Sequence, residues 1–194
     1  MKNCLLSGLT KWIIRGSSSC CLAILVACTP AKVQLNVVPL PNDIVIKTGF
    51  FEVDSAQFAN ESMDKFITCR IDSAFNRDLG EEGYNLSVSS GTIRLNACTE
   101  KGAFYGKQTL KQLLSSRGIP CVEIKDAPRF SYRGLHIDVS RHFFPKEEII
   151  KLLDEMAYYK LNKFHFHLTD NGGWRIQIDK YPRLTSMGAF RTQC

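Results

Sequence analysis

The sequence has 194 residues, of which 44% are hydrophobic and 23% are charged, and its formal net charge is +6. These values are ordinary for a globular protein, so they exclude a disordered chain, a collagen-like repeat and a membrane protein with many spans. Half of the excess positive charge lies in Lys2, Lys11 and Arg15, and no basic stripe follows, which argues against a nucleic-acid-binding protein. A complete enzyme barrel of about 250 residues does not fit in this length.

Residues 1–27 have the pattern of a secretory leader. Basic residues come first, and the apolar run from Cys20 to Ala27 is too short to cross about 30 Å of hydrocarbon as a helix. The run ends in Leu-Val-Ala followed by Cys28, which resembles a bacterial lipobox. We expect an exported lipoprotein that is anchored through Cys28 to a membrane and faces the periplasm or the cell surface. An ordinary cleaved signal or an uncleaved anchor is the alternative.

A tether and a small α+β domain are predicted after the leader. Residues 28–42 contain Pro30, Pro39 and Pro41, which favours an extended tether, and residues 43–126 are assigned to the N-terminal α+β domain. The predicted strands cover residues 33–38, 43–53, 84–88, 92–97 and 119–124, and the predicted helices cover residues 61–75 and 101–116. Phe104 and Leu113 are predicted to lie on the buried stripe of the second helix.

Four cysteines lie outside the leader and the lipidation motif: Cys69, Cys98, Cys121 and Cys194. They are widely spaced and form no CxxC pair, so the spacing indicates neither a metal-binding module nor a disulfide scaffold. We expect buried thiols, with one disulfide possible in an exported protein, and the three possible pairings cannot be distinguished.

Residues 127–194 have the pattern of a β/α repeat. Residues 132–139 and 162–169 alternate as strands, and between them Pro145 begins a helix. The predicted buried face of this helix consists of Ile149, Leu152, Leu153, Met156 and Ala157. A crossover helix between two strands implies a parallel pair, so we predict the first units of an incomplete (β/α)8 TIM barrel.

The ends of these two strands are rich in polar and aromatic residues, and in a β/α barrel the functional groups come from such ends. Arg141 follows the first strand, whereas Asp170 and Trp174 follow the second. An arginine and an aspartate on adjacent strands can hydrogen-bond vicinal sugar hydroxyls, and a tryptophan can pack on the apolar face of the ring. From the residues alone, Arg141 could equally be a structural ion-pair residue and Asp170 could cap a turn.

Two segments carry a more specific resemblance. They read YRGLHIDVSRHFFP at 132–145 and YKLNKFHFHLTD at 159–170. Both closely resemble the opening of the catalytic barrel of glycoside hydrolase family 20, which contains the β-N-acetylhexosaminidases. The resemblance continues in GGWRI at 172–176, in YPRLT at 181–185 and, for the N-terminal domain, in GAFYG at 102–106.

The resemblance implies roles for several residues. Arg141 matches the arginine that binds hydroxyls of the terminal N-acetylhexosamine, a task that suits a planar cationic fork. Asp170 matches an acid of the substrate-binding network, and His165, His167 and Trp174 match supporting positions. Asn171 and Gly172 depart from the family pattern, which usually has a second acid and often a glutamine there.

The family mechanism, as the resemblance implies it, is substrate-assisted. The sugar's acetamido oxygen attacks the anomeric carbon, a glutamic acid protonates the leaving oxygen, and a preceding aspartate orients the acetamido group. No metal or organic cofactor is needed. The Asp-Glu pair is expected beyond Cys194, because Asp154-Glu155 falls in a predicted helix rather than at a strand end. We therefore expect an inactive N-terminal fragment that acts, in its complete form, on terminal β-linked GlcNAc or GalNAc.

Other interpretations remain. The chain could be a non-catalytic lipoprotein that binds a glycan or a partner, or one half of a split enzyme that a C-terminal fragment complements. His165, His167 and Asp170 could bind a metal, but histidines that line a buried strand are favoured over ligands. A nucleophilic pair of Ser140 with His142 is disfavoured, because neighbouring strand residues point apart.

Overall fold

The chain has a mixed α/β structure with a five-stranded sheet and a separate pair of parallel strands. We describe it from a computed structural model of residues 35–60, 63–74 and 77–190, which belong to one structural unit. The predicted leader and Cys28 lie outside these residues, as does Cys194. None of the helices in the described ranges is long and apolar enough to cross a membrane.

The five-stranded sheet forms the first part of the chain. Its strands are β1 (Asp43–Phe51), β2 (Ile67–Ile71), β3 (Tyr84–Val88), β4 (Ile93–Ala97) and β5 (Ile119–Asp126), and the helices of this part are α1 (Ser55–Asn60) and α2 (Glu100–Leu113). The strand order is β1-β5-β3-β4-β2. All neighbours are antiparallel except β2 and β4, which are parallel. The strands predicted at 84–88 and 92–97 are confirmed as β3 and β4, which pair as an antiparallel hairpin.

The core of this part lies between the sheet and α2. Alternate residues of β3 and β4, such as Leu86 and Leu95, are buried, as the two-residue period of a strand dictates. The side chain of Thr99 caps α2 by accepting a hydrogen bond from the backbone N–H of Lys101 at 3.2 Å. Two apolar surfaces, one from the sheet and one from the helix, thus bury each other.

The buried stripe of α2 differs from the prediction at one end. Leu113 is buried as predicted, but Phe104 is 44% exposed. The helix instead turns Gly102 and Gly106 toward the sheet, where a Cβ on either would lie 2.3 Å from a neighbouring atom. The helix approaches the sheet closely at these two glycines, and Phe104 lies on its exposed side.

The predicted helix over residues 61–75 is wrong. A short 3-10 helix covers Met63–Lys65, and Ile67–Ile71 forms strand β2. Only Ile67 of this strand is buried, so β2 is held by its parallel backbone pairing with β4 rather than by an apolar face. Residues 61–62 and 75–76 lie outside the described ranges.

The predicted strand over residues 33–38 is also wrong where it is described, since residues 35–42 form no strand. The Gln112 side chain binds this segment instead: its Oε1 accepts from the N–H of Val38 at 2.6 Å and its Nε2 donates to the Val38 carbonyl at 2.9 Å. One amide side chain thus satisfies backbone groups that a strand neighbour would otherwise bind. Of the cysteines, Cys121 is buried as expected, but Cys69 is exposed.

The second part of the chain begins with a β-α-β unit. Strand β6 (Gly134–Asp138), helix α3 (Lys146–Tyr158) and strand β7 (Lys163–His167) follow each other, and then come β8 (Thr169–Asp170), β9 (Gly173–Trp174) and α4 (Arg183–Ser186). Strands β6 and β7 are parallel, which confirms the predicted crossover. In the described part of the chain this sheet has two strands, so the eight-stranded barrel stays a prediction.

The buried stripe of α3 is narrower than predicted. Ile149 and Met156 are buried, whereas Leu153, which the sequence assigns to the same face, is 41% exposed. Helix α3 packs against α2, and Ile149 and Met156 are its only fully buried residues in the described part of the chain.

A buried polar cluster joins the two parts of the chain. The ammonium group of Lys160 donates to Asp126 Oδ2 and to the Tyr84 hydroxyl, both at 2.9 Å, and that hydroxyl donates to Asp126 at 2.8 Å. The hydroxyl of Thr109 lies 2.6 Å from that of Tyr84. Desolvation lowers the pKa of Lys160, and the charge of Asp126 opposes that effect. Lys160 comes shortly before β7, so this cluster fixes β7 relative to the five-stranded sheet.

Candidate functional site

The parallel register of β6 and β7 brings two chain segments together at one edge. Asp138 at the end of β6 lies opposite His167 at the end of β7. The N–H of Val139 donates to the His167 carbonyl at 3.1 Å, which extends the pairing beyond β6. The segments that carry Arg141 and Asp170 therefore leave the sheet side by side, as the sequence predicts for parallel strands.

Arg141 binds carboxylates from both segments. Its Nη2 lies 2.9 Å from Asp170 Oδ2, and its Nη1 lies 2.5 Å from Asp138 Oδ2. The guanidinium is thus held between two carboxylates while its side chain remains 53% exposed. The structure brings together Arg141 and Asp170, the two residues assigned to sugar binding. Their roles as sugar ligands stay a prediction.

Hydrogen bonds keep both carboxylates of this arrangement ionised. The N–H of Asn171 lowers the pKa of Asp170, and the charge of Arg141 and a hydrogen bond from His167 add to this effect. For Asp138, desolvation raises the pKa, but hydrogen bonds from Arg141 and from the N–H of Ser140 outweigh it and lower the pKa overall. At neutral pH the site therefore presents one guanidinium between two carboxylates. The guanidinium is a strong donor and the carboxylates are strong acceptors for hydroxyl groups.

Asp138 was not singled out by sequence reasoning. Its Oδ1 accepts from the N–H groups of Ser140 and Arg141 at 2.9 and 3.1 Å, while its other oxygen binds the Arg141 guanidinium. The signal available in the sequence was its position as the last residue of a strand, three residues before an arginine. Asp138 therefore positions both the backbone and the side chain of Arg141.

His167 contacts the same cluster. Its Nε2 lies 3.1 Å from Asp170 Oδ2 and 3.3 Å from Arg141 Nη1. Of these two neighbours the carboxylate is the closer, and we assign the tautomer in which Nε2–H donates to Asp170. His167 thus contacts Asp170, and its supporting role in substrate binding stays a prediction.

Trp174, another predicted residue, lies on β9 opposite Thr169, next to Asp170 on β8. Trp174 is half-buried on β9, and its indole N–H donates to the Ile176 carbonyl at 2.6 Å. The neighbouring Arg175 donates from Nε to the Val139 carbonyl at 2.9 Å, and the Ser140 hydroxyl donates to the Gly173 carbonyl at 2.8 Å. These bonds tie β9 to the end of β6. Ser140 is buried in this role, which agrees with the rejection of a nucleophilic serine.

Three histidines share one face of the two strands. His136 lies opposite His165 in the parallel register, and His165 and His167 alternate along β7. The ring centroids of His136 and His165 are 4.5 Å apart, and those of His136 and His167 are 5.9 Å apart. The expectation that these histidines line a buried strand is wrong for His165, which is exposed like His136, because no further described strand covers this face. Sequence reasoning did not single out His136, although its alternation with Gly134 and Asp138 placed it on this face.

The comparisons with known proteins point to one family. The family model of the catalytic domain of glycosyl hydrolase family 20 matches residues 130–194, and that of domain 2 of the same family matches residues 55–127. A protein named beta-hexosaminidase from Porphyromonas gingivalis is 34% identical over 94% of this chain and 30% of its own length. Another from Vibrio vulnificus is 50% identical over 56% of this chain and 13% of its own length.

A solved structure supports the same relationship. The exo β-N-acetylglucosaminidase of this family from Vibrio harveyi, in complex with N-acetylglucosamine, matches with a TM-score of 0.69 and 30% identity. The match covers 78% of this chain and 28% of that one. The chain thus spans less than a third of the length of each of these relatives. Since two models of one family match successive parts of the chain, and related sequences and a related structure agree with them, the chain belongs to glycosyl hydrolase family 20.

Proposed function

We propose that this chain supplies the terminal-sugar-binding elements of a β-N-acetylhexosaminidase that removes β-linked GlcNAc or GalNAc. The observation that carries the proposal is the Arg141 guanidinium, held between Asp138 and Asp170 at the ends of two adjacent parallel strands. The names of the relatives and the N-acetylglucosamine complex of the Vibrio harveyi enzyme support an N-acetylhexosamine as the sugar that is bound.

The chemistry of the site suits a polyhydroxylated ring. Arg141 can donate two parallel hydrogen bonds to neighbouring hydroxyls, and Asp170 can accept one from a hydroxyl hydrogen. Asp138 and His167 hold these two groups in place, so little side-chain entropy is lost when the sugar binds. We assign Arg141 and Asp170 to substrate binding and Trp174 to packing near the ring.

Bond cleavage needs groups that we cannot assign within this chain. The substrate-assisted mechanism requires an acid beside the leaving oxygen and an aspartate beside the acetamido group. The adjacent pair Asp154-Glu155 lies within α3, not at a strand end. We therefore propose that β6, α3 and β7 begin an eight-stranded barrel, and that the 194-residue chain alone does not turn over substrate.

The site is proposed to work outside the cytoplasm. The leader-like pattern and the lipobox-like motif support export and a lipid anchor at Cys28. The mass of the mature N-terminal peptide, recovered from the source cells, tests this: a diacylated Cys28 supports the anchor, and an unmodified one contradicts it.

The decisive experiment measures N-acetylglucosamine binding by saturation-transfer NMR on the chain and on Arg141→Ala. We expect the variant to lose tenfold or more in affinity, because a hydrogen bond to a charged group contributes about 1.5–3 kcal/mol. Arg94→Ala is the matched control, since Arg94 is exposed on β4, away from the strand ends. Equal binding by Arg141→Ala and the native chain contradicts the assigned role.

Turnover of an aryl N-acetylglucosaminide separates the proposal from its alternatives. We expect no turnover by the chain alone, and turnover would contradict both the proposed inactivity and a non-catalytic binding protein. Activity that appears only after addition of the C-terminal part of the Porphyromonas gingivalis relative would favour the split-enzyme alternative.

A further inference from the structure

The face of β6 and β7 next to the sugar-binding residues carries three histidines, of which the proposed function uses only His167, as the support of Asp170. One imidazole nitrogen from each of His136, His165 and His167 lies within 4.8 Å of the other two. His136 comes from β6 and the other two come from β7, so the cluster bridges both strands. We propose that these three histidines bind a divalent transition-metal ion of the Zn²⁺ class, which links β6 to β7.

The ligand chemistry specifies the class of ion. Three neutral imidazoles with one open position are a common donor set for Zn²⁺, Co²⁺ and Cu²⁺, whereas Mg²⁺ and Ca²⁺ prefer oxygen ligands. With metal–nitrogen bonds of about 2.0–2.1 Å, tetrahedral ligands are about 3.4 Å apart, so the rings must close by roughly an ångström. His136 and His165 are exposed, which leaves their side chains room to rotate.

The surroundings favour a cation at this position. Metal-binding histidines commonly donate their other ring N–H to a carboxylate, which fixes the tautomer and the ring orientation. His167 makes such a bond to Asp170 at 3.1 Å, which leaves the other nitrogen of that ring with its lone pair. Asp138 and Asp170 together place two negative charges near the cluster against the single positive charge of Arg141.

The role that follows is structural rather than catalytic. Ligands from both strands make the ion a cross-link. An ion that binds only the folded chain raises the stability of that chain, and the increase grows with the ratio of the free ion concentration to the Kd. Zn²⁺ should therefore raise the Tm of the chain, and EDTA should reverse the increase.

The experiment uses the tag-free full chain with its thiols alkylated, because its eight cysteines are competing ligands. Titration with Zn²⁺ against a chromogenic chelator should show one bound ion per chain. We expect His136→Asn and His165→Asn each to weaken binding tenfold or more. His142→Asn is the matched control, since His142 is the one other histidine in the sequence and its ring contacts Phe144. The absence of a saturable site, or an equal loss in His142→Asn, overturns the proposal.

A second measurement avoids variants that fail to fold. The native chain has four histidines, each with its own imidazole C–H signals in a proton NMR spectrum. Paramagnetic Co²⁺ should shift or broaden the signals of three histidines strongly and those of His142, which is not a ligand, much less. An effect on all four alike, or on fewer than three, contradicts a site built from His136, His165 and His167.

Discussion

The chemistry of the site depends on one guanidinium and the two carboxylates that hold it. Arg141 is exposed, and an exposed ion pair on its own contributes little to stability, with typical values of about 0–1 kcal/mol. Its significance is geometric, because Asp138 fixes one end of the fork and Asp170 the other. A ligand then meets a side chain that is already oriented.

Titration of Asp170 tests this arrangement directly. Its pKa lies below the ordinary value of 3.8, so the carboxylate is ionised and paired above that pH, and the pairing is lost as the pH falls through the lowered pKa. In Arg141→Ala we expect the pKa to rise but to stay below 3.8, because the hydrogen bond from the Asn171 N–H persists. Carboxyl-carbon NMR gives both values, and Arg94→Ala should leave them unchanged. An unaltered pKa of Asp170 in Arg141→Ala would falsify the ion pair.

Sequence reasoning reached part of this site and missed the rest for a physical reason. Arg141 and Asp170 were predicted to meet because parallel strands end at the same edge. Asp138 was missed as the partner of Arg141 because a contact three residues apart in an irregular loop depends on backbone angles that no periodicity reports. The position of His136 opposite His165 follows only from the register of β6 against β7, which the structure shows.

At the scale of elements, the position of α2 on the sheet depends on two glycines. A Cβ on Gly102 would lie 2.3 Å from the carbonyl oxygen of Gly83, a backbone atom that cannot rotate away. A Cβ on Gly106 would meet the end of the Leu95 side chain at the same distance, and that side chain can change rotamer. The two positions are therefore unequal, although both are helical glycines.

We expect Gly102→Ala to lower the free energy of unfolding by about 1–3 kcal/mol, the usual cost of overpacking. This result would be opposite to the intrinsic helix propensity, which favours alanine over glycine by about 1 kcal/mol. Urea denaturation measures the change, and Gly106→Ala should cost less. Gly91→Ala is the control, since a Cβ there meets no atom within 4 Å. A stabilised Gly102→Ala would show that α2 does not approach the sheet as described.

Local patterns predicted the elements whose partners are close in sequence. The hairpin of β3 and β4, helix α2 and the β6-α3-β7 unit all follow from periodicity and from capping or proline signals. Strand β2 was mistaken for a helix because Met63, Phe66, Ile67 and Ile71 fit a helical stripe. Its true partner is β4, a distant strand that offers a free edge, and no local pattern encodes such a pairing.

At the scale of the whole molecule, the most deeply buried ion pair of the described residues, Lys160–Asp126, helps to connect the sheet to the β-α-β unit. The side chains of Lys160 and Asp126 are only 7% and 11% exposed, and their charged groups are 2.9 Å apart. Lysine is seldom buried without a partner, so neither the burial nor the pairing was predictable from an isolated lysine in the sequence. The pair fixes the start of β7, and through β7 it fixes His167 and the segment that carries Asp170.

Removal of one partner should destabilise the entire chain. In Lys160→Met the carboxylate of Asp126 stays buried without its cation, and the loss of one partner from a buried pair costs about 3–5 kcal/mol. Urea denaturation should show a loss of this size, and the double variant Lys160→Met/Asp126→Asn should recover part of it. The neutral amide no longer needs a cation, and its oxygen can still accept from the Tyr84 hydroxyl.

An exposed pair of the same chemistry provides the comparison. Lys101 and Glu81 are 2.8 Å apart, close to the 2.9 Å of the buried pair, but their side chains are 62% and 72% exposed, so Lys101→Met should cost at most about 1 kcal/mol. If both lysine variants lose equally little, the buried cluster does not hold the two parts together. If only Lys160→Met is destabilised and the double variant shows no recovery, the loss comes from packing rather than from the unpaired charge. The expected combination of a large single loss and a partial recovery identifies the Lys160–Asp126 pair as an electrostatic link that positions β7, and with it His167 and Asp170, on the rest of the chain.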